Sequence, residues 1–126
     1  MTQTVFKLVD RTSWQAAERS GAFAGSPADV RDGFIHFSTA AQVPETATRH
    51  FAGQSDLVLV AVAVERLGDA LRWEPSRGGA LFPHLYAPLP LGAVLWVADL
   101  PLDATGRHVF PQLFLEVAES DPSPDL

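Results

Sequence analysis

LVLVAVAV, residues 57–64, is an unbroken run of eight apolar side chains. A strand with one wet face alternates apolar and polar residues. This run does not alternate, so it reads as a central strand covered on both sides. The rest of the fold has to be built around it. Upstream, TVFKLVD (4–10) is β-rich and carries Lys7, the sole lysine of the chain. Thr12 and Gln15 then have the spacing of a helix capping box, Trp14, Ala17 and Glu18 begin a helical pattern, and Gly21 is its stop. Residues 21–32 read as a loop, with Pro27 and an Asp32-Gly33 turn.

GFIHFS (33–38) is the next strand. A period of two puts Phe34, His36 and Ser38 on one face, and Ile35 and Phe37 on the other. Thr39 and Gln42 repeat the capping-box spacing, but Pro44 would then sit inside the helix and cost a hydrogen bond. Either a short turn precedes the helix or the helix starts nearer Pro44. Val43, Ala47 and Phe51 make its buried stripe.

Downstream of the central run the pattern is mostly strand. ERLGDA (65–70) is a turn, and LRWE (71–74) is a short strand with Arg72 and Glu74 on one face. LFPHLY (81–86) aligns Phe82, His84 and Tyr86, while Pro83 assigns it to an edge or an irregular segment. AVLWVADL (93–100) reads as another buried strand, and VFPQLFLEV (109–117) as part of an extended arm. Helices early and strands late give an α+β fold, not a repeating βαβ pattern. We expect a compact single domain over residues 1–117, with a split mixed or antiparallel sheet and two helices in the N-terminal half. Residues 118–126 read as a mobile acidic tail.

Composition narrows the function. The 126 residues are 47% hydrophobic and 19% charged, which suits one globular domain. The absence of cysteine excludes disulfides, thiolate catalysis and iron–sulfur clusters. The net charge of −6 is partly carried by Glu116, Glu119, Asp121 and Asp125 near the end, and no basic stripe invites a nucleic-acid duplex. No apolar run reaches the ~20 residues of a membrane span. The opening residues do not read as a signal peptide, so a cytoplasmic location is expected.

Several residue clusters carry possible chemistry. His36, beside Ser38 on one strand face, suits a ligand hydroxyl or phosphate, or a general base; the plainer reading is a buried histidine bonded to backbone. Ser38 and Thr39 stand where a strand gives way to a helix start, a place that favours anions, although Thr39 is more simply a cap. Glu74, next to Trp73 and the loop SRGG (76–79), suits a base or the stabilisation of a developing cation. Arg72 and Arg77 stand near enough in sequence to pair with it instead. His84 and Tyr86 suit a ring-binding surface, with Tyr86 stacking on the ligand. His36, His50, His84 and Glu74 lack a metal-binding spacing, and no nucleophile elbow is present, so neither a metal centre nor a serine hydrolase is expected.

Three segments together, DGFIHFSTAAQVPET (32–46), LRWEPSRGGALFPHLY (71–86) and PLPLGAVLWV (88–97), closely resemble the small bacterial family called domain of unknown function 952. The opening FKLVDRTSWQAAERSGAFAGS (6–26) fits that family's start. The family is similar in architecture to the ADP-ribosyltransferase fold, which holds NAD in a cleft of a split sheet. The resemblance implies that FIHFST corresponds to the strand with a serine-threonine-serine type motif. It places Lys7 where many such enzymes carry a histidine or arginine on the nicotinamide ribose. His84 falls near the strand of their catalytic glutamate, and Glu74 lies earlier.

The expectation is therefore a small-molecule cleft for NAD or another nucleotide, with Glu74, His36 and His84 as catalytic residues. Ser38, Thr39, Tyr86, Arg72 and Arg77 are the ligand-binding candidates. The reaction expected is glycosyl or phosphoryl transfer; the alternative is a non-enzymatic binding or sensing module.

Overall fold

The computed structural model describes residues 3–120, apart from the side chains of Arg77 and Ser120. Its main sheet is antiparallel, with β4 (Leu57–Ala63) between β1 (Thr4–Asp10) and β8 (Val94–Leu100). Every residue of β4 is buried, as the apolar run requires. Its side chains divide the core in two. Val58, Val60 and Val62 point to a layer with Trp14 and Ala17 of α1 (Arg11–Ser20). Leu57, Leu59 and Ala61 point to a layer with Val43 and Ala47 of α3 (Val43–His50) and Phe114 of α4 (Gln112–Ser120). Helices thus cover both faces of the strand, which explains why it carries no polar side.

β8 differs from its reading as a buried strand. It is an edge strand, and Leu95 and Val97 are 41% and 38% exposed. The residues after it differ more. VFPQLFLEV is not part of an extended arm: Pro111 opens α4, and the amides of Phe114 and Leu115 donate to its carbonyl. Proline suits a first helical turn because its missing N–H is not needed there. Phe110, Phe114 and Val117, at helical spacing, pack on the core. Helix α4 also carries residues 118–120, where the acidic tail was expected to begin. The remainder of that tail, 121–126, lies outside the described residues.

A second antiparallel sheet has the order β3 (Ile35–His36), β6 (Leu81–Leu85), β5 (Leu71–Pro75). Pro83 therefore lies in a middle strand, not at an edge. Its carbonyl accepts from the Phe37 amide at 2.9 Å, one residue past the end of β3. The donor it lacks would have faced the same side, where the paired length of β3 has run out. A two-stranded clip of β2 (Ala22–Phe23) and β7 (Leu89–Pro90) completes the sheets.

The segment read as a loop contains a helix, α2 (Pro27–Asp32), so the N-terminal half holds three helices and not two. Ser26 and Asp29 form a reciprocal capping box, Pro27 lies in the first turn, and Gly33 ends the helix at φ +87°, a conformation that suits glycine. α1 is capped by Asp10, which accepts from the Ser13 amide at 2.9 Å, and not by Thr12. It stops at Gly21 as expected. A turn from Thr39 to Gln42 precedes α3, and Pro44 falls in the first turn of that helix.

The two larger sheets are joined by a backbone bridge from β1 to the residues after β3. Phe6 and Ser38 exchange backbone hydrogen bonds of 2.8 and 2.9 Å, and a cleft opens around this bridge. No helix among the described residues is long and apolar enough to cross a membrane.

Candidate functional site

β3 and β6 pair His36 directly opposite His84. Cross-strand partners point to the same face, and the two rings lie 5.6 Å apart in an edge-to-face arrangement. The Phe34 ring stacks on His84 at 4.1 Å and lies 4.6 Å from His36. Each histidine is oriented by a carboxylate through Nδ1. For His84 this is Glu74 of β5, at 2.8 Å; for His36 it is Asp29 of α2, at 2.6 Å.

His84 is 5% exposed. In the neutral tautomer whose Nδ1–H donates to Glu74, its Nε2 carries the lone pair, which is the form of a general base or a hydrogen-bond acceptor. The same Glu74 oxygen accepts from the Tyr86 hydroxyl at 2.7 Å. The bonds from Tyr86 and His84 hold the Glu74 carboxyl below its ordinary range, and Glu74 in turn pushes the Tyr86 phenol up.

The His36 side is built on Asp29, a residue that the sequence reading passed over. Asp29 is 2% exposed and receives the Lys7 ammonium at 3.0 Å, the His36 ring, and the backbone amides of Ser26 and His36. Burial pushes its carboxyl up, but the His36 bond, the Lys7 charge and the two amides outweigh that and hold it well below the usual range. Burial moves Lys7 down, against the pull of Asp29. All of these donors converge on the one Asp29 carboxylate, which keeps it charged beside Lys7. Lys7 also donates to the His36 carbonyl at 2.9 Å. The signal for Asp29 was present in Ser26-Pro27-Ala28-Asp29, a capping box with its proline.

These groups open onto a cleft of ≈ 640 Å³ whose wall includes Lys7, Asp29, His36, Ser38, Phe51 and His84. The Ser38 hydroxyl lies 3.0 Å from that of Thr46 on α3. Thus His36, Ser38 and His84 come together as the sequence reading expected. Glu74 is close, but it stands behind His84 and is not part of the wall. Tyr86 lines a smaller hollow of ≈ 230 Å³ on the side of Phe34, and the Arg72 guanidinium lies over the Tyr86 ring at 5.0 Å. Thr39 is buried away from the wall; its amide donates to Gln42 at 3.0 Å, and its hydroxyl has no hydrogen-bond partner. Its side chain therefore caps no helix, although its carbonyl accepts from the Gln42 and Val43 amides. The side chain of Arg77 lies outside the described residues.

The fold and site together define a class: an antiparallel α+β domain with two carboxylate-oriented histidines on the wall of one cleft. The chain belongs to the family described as "Protein of unknown function (DUF952)", whose model matches residues 8–97. It is similar to the crystal structure of protein CC0527 from Caulobacter crescentus, with 50% identity and a TM-score of 0.83, over 91% of this chain and 98% of that one. The solution NMR structure of CC0527 is similar at 50% identity and a TM-score of 0.76, over 90% and 95% of the two chains. No curated protein matches the chain.

Proposed function

We propose that the cleft binds a nucleotide-like small molecule of the NAD type, in the manner of an ADP-ribosyltransferase, and that the reaction is glycosyl transfer. The observation that carries this reading is His84: nearly buried, held by Glu74 at 2.8 Å, and on the cleft wall 5.6 Å from His36. The cleft volume falls within the range of about 300–1,000 Å³ typical of small-molecule sites. In this reading His84 Nε2 accepts a proton from the ligand or from the attacking group, and Glu74 acts through His84. The Ser38 and Thr46 hydroxyls hold polar groups of the ligand. Phe51 and Phe82, also on the wall, offer apolar surface to a ring.

One observation favours the alternative, a binding or sensing module without transfer chemistry. Glu74, the carboxylate that the sequence offers for an oxocarbenium-like centre, bonds His84 and Tyr86 and does not reach the wall. Titrating NAD while following the imidazole signals of His36 and His84 by NMR, together with an assay of nicotinamide release, decides between them. The transferase reading expects both histidines to shift and nicotinamide to be released. Shifts without release select the binding module. If neither histidine responds to NAD or to other nucleotides, both readings fail.

A further inference from the structure

The two carboxylates that grip His36 are not equivalent. Asp29, on Nδ1, is 2% exposed and is fixed by Lys7 and two backbone amides. Asp32, on Nε2 at 2.9 Å, is 33% exposed and also pairs with Arg31, at 2.9 Å. Asp32 is also the last residue of α2, at the helix end where a negative charge is least favoured. Arg31 is 73% exposed, and Arg31, Asp32 and His36 all line the cleft. A single exposed carboxylate thus sits between an imidazole nitrogen and a guanidinium, in the position that the oxygens of a bound anion would take.

From this geometry we infer that His36 Nε2 and Arg31 form an oxyanion subsite of the cleft, and that Asp32 occupies it until the phosphate of a ligand displaces it. Asp29 anchors the imidazole from behind, so His36 keeps its orientation when Asp32 leaves. Arg31, released from Asp32, supplies the planar donor fork that suits phosphate. The inference rests on the nucleotide reading only for the source of that phosphate; the subsite itself takes any small phosphate or pyrophosphate.

Its test uses pyrophosphate and the full chain, with the His36 ring followed by NMR at fixed pH and ionic strength. Removing the internal competitor by Asp32→Ala should tighten pyrophosphate binding about tenfold, because the competent state no longer has to be opened first. Adding Arg31→Gln to that variant should abolish the gain. Equal affinities for the native chain and Asp32→Ala would overturn the inference, as would a gain that survives Arg31→Gln or shifts centred away from His36. The expected result with pyrophosphate, combined with no response to NAD, would uphold the subsite and remove the nucleotide reading instead.

Discussion

Asp29→Ala is expected to destabilise the fold by about 3–5 kcal/mol, the range for breaking a buried ion pair from one side. The substitution leaves the Lys7 ammonium buried with only the His36 carbonyl as a partner. It also removes the acceptor for the Ser26 and His36 amides, and so undoes the capping box that starts α2. Urea unfolding measures the loss. Removing both charges, with Lys7→Met and Asp29→Leu together, should recover the part of the loss that comes from the unpaired Lys7 ammonium, because no charge is then left buried alone. The sign of the pH dependence follows from Asp29. Its carboxyl is held below the usual range in the folded protein, so its contribution is fully present above the unfolded value of about 3.9. It is lost as pH falls through the lower folded value. The native chain should therefore lose stability in acid more steeply than the double variant. A loss for Asp29→Ala of under about 1 kcal/mol, the size of a surface pair, would show that the cluster does not hold the fold.

Phe6→Ala carries the second large effect, a loss of about 3–5 kcal/mol. Phe6 is fully buried, packs edge-to-face on Phe114 at 5.1 Å, and lies 6.0 Å from Trp96. It thus helps to dock α4 on the main sheet. Besides the lower stability in urea, the amides of α4 should exchange with solvent faster than those of α1, which packs on the opposite face. Equal acceleration in both helices would mean that Phe6 supports the whole core and not this contact in particular.

Local signals that agreed with the tertiary structure were legible in the sequence. LVLVAVAV had only one comfortable environment, and Gly21 had a left-handed cap to fill. Phe34, His36 and Ser38 share a face because a strand's period is two, although only Ile35 and His36 pair as β3. Other signals were overridden. Pro83 argued for an edge, but the shortness of β3 left no donor needed on that side. Pro111 lies in the segment that reads as an extended arm and is instead at a helix start. Helix α2 has six residues, too short to show a periodic apolar stripe, so its capping residues were the only mark it left.

The site was half legible for related reasons. Alternation aligned His36 with Ser38 and His84 with Tyr86, and the register of β3 with β6 brought the two histidines together. Alternation could not say which carboxylate each histidine would meet. Asp29 reaches His36 from a separate helix, and Glu74 reaches His84 from the neighbouring strand. Glu74 therefore orients a histidine and does not reach the cleft wall.

The most direct test of the cleft is a crystal structure of the chain with ADP-ribose. The ligand is expected in the ≈ 640 Å³ cleft, with one of its oxygens within hydrogen-bond reach, about 2.6–3.2 Å, of His84 Nε2. An empty cleft at saturating ADP-ribose, or a ligand bound away from both histidines, would contradict it.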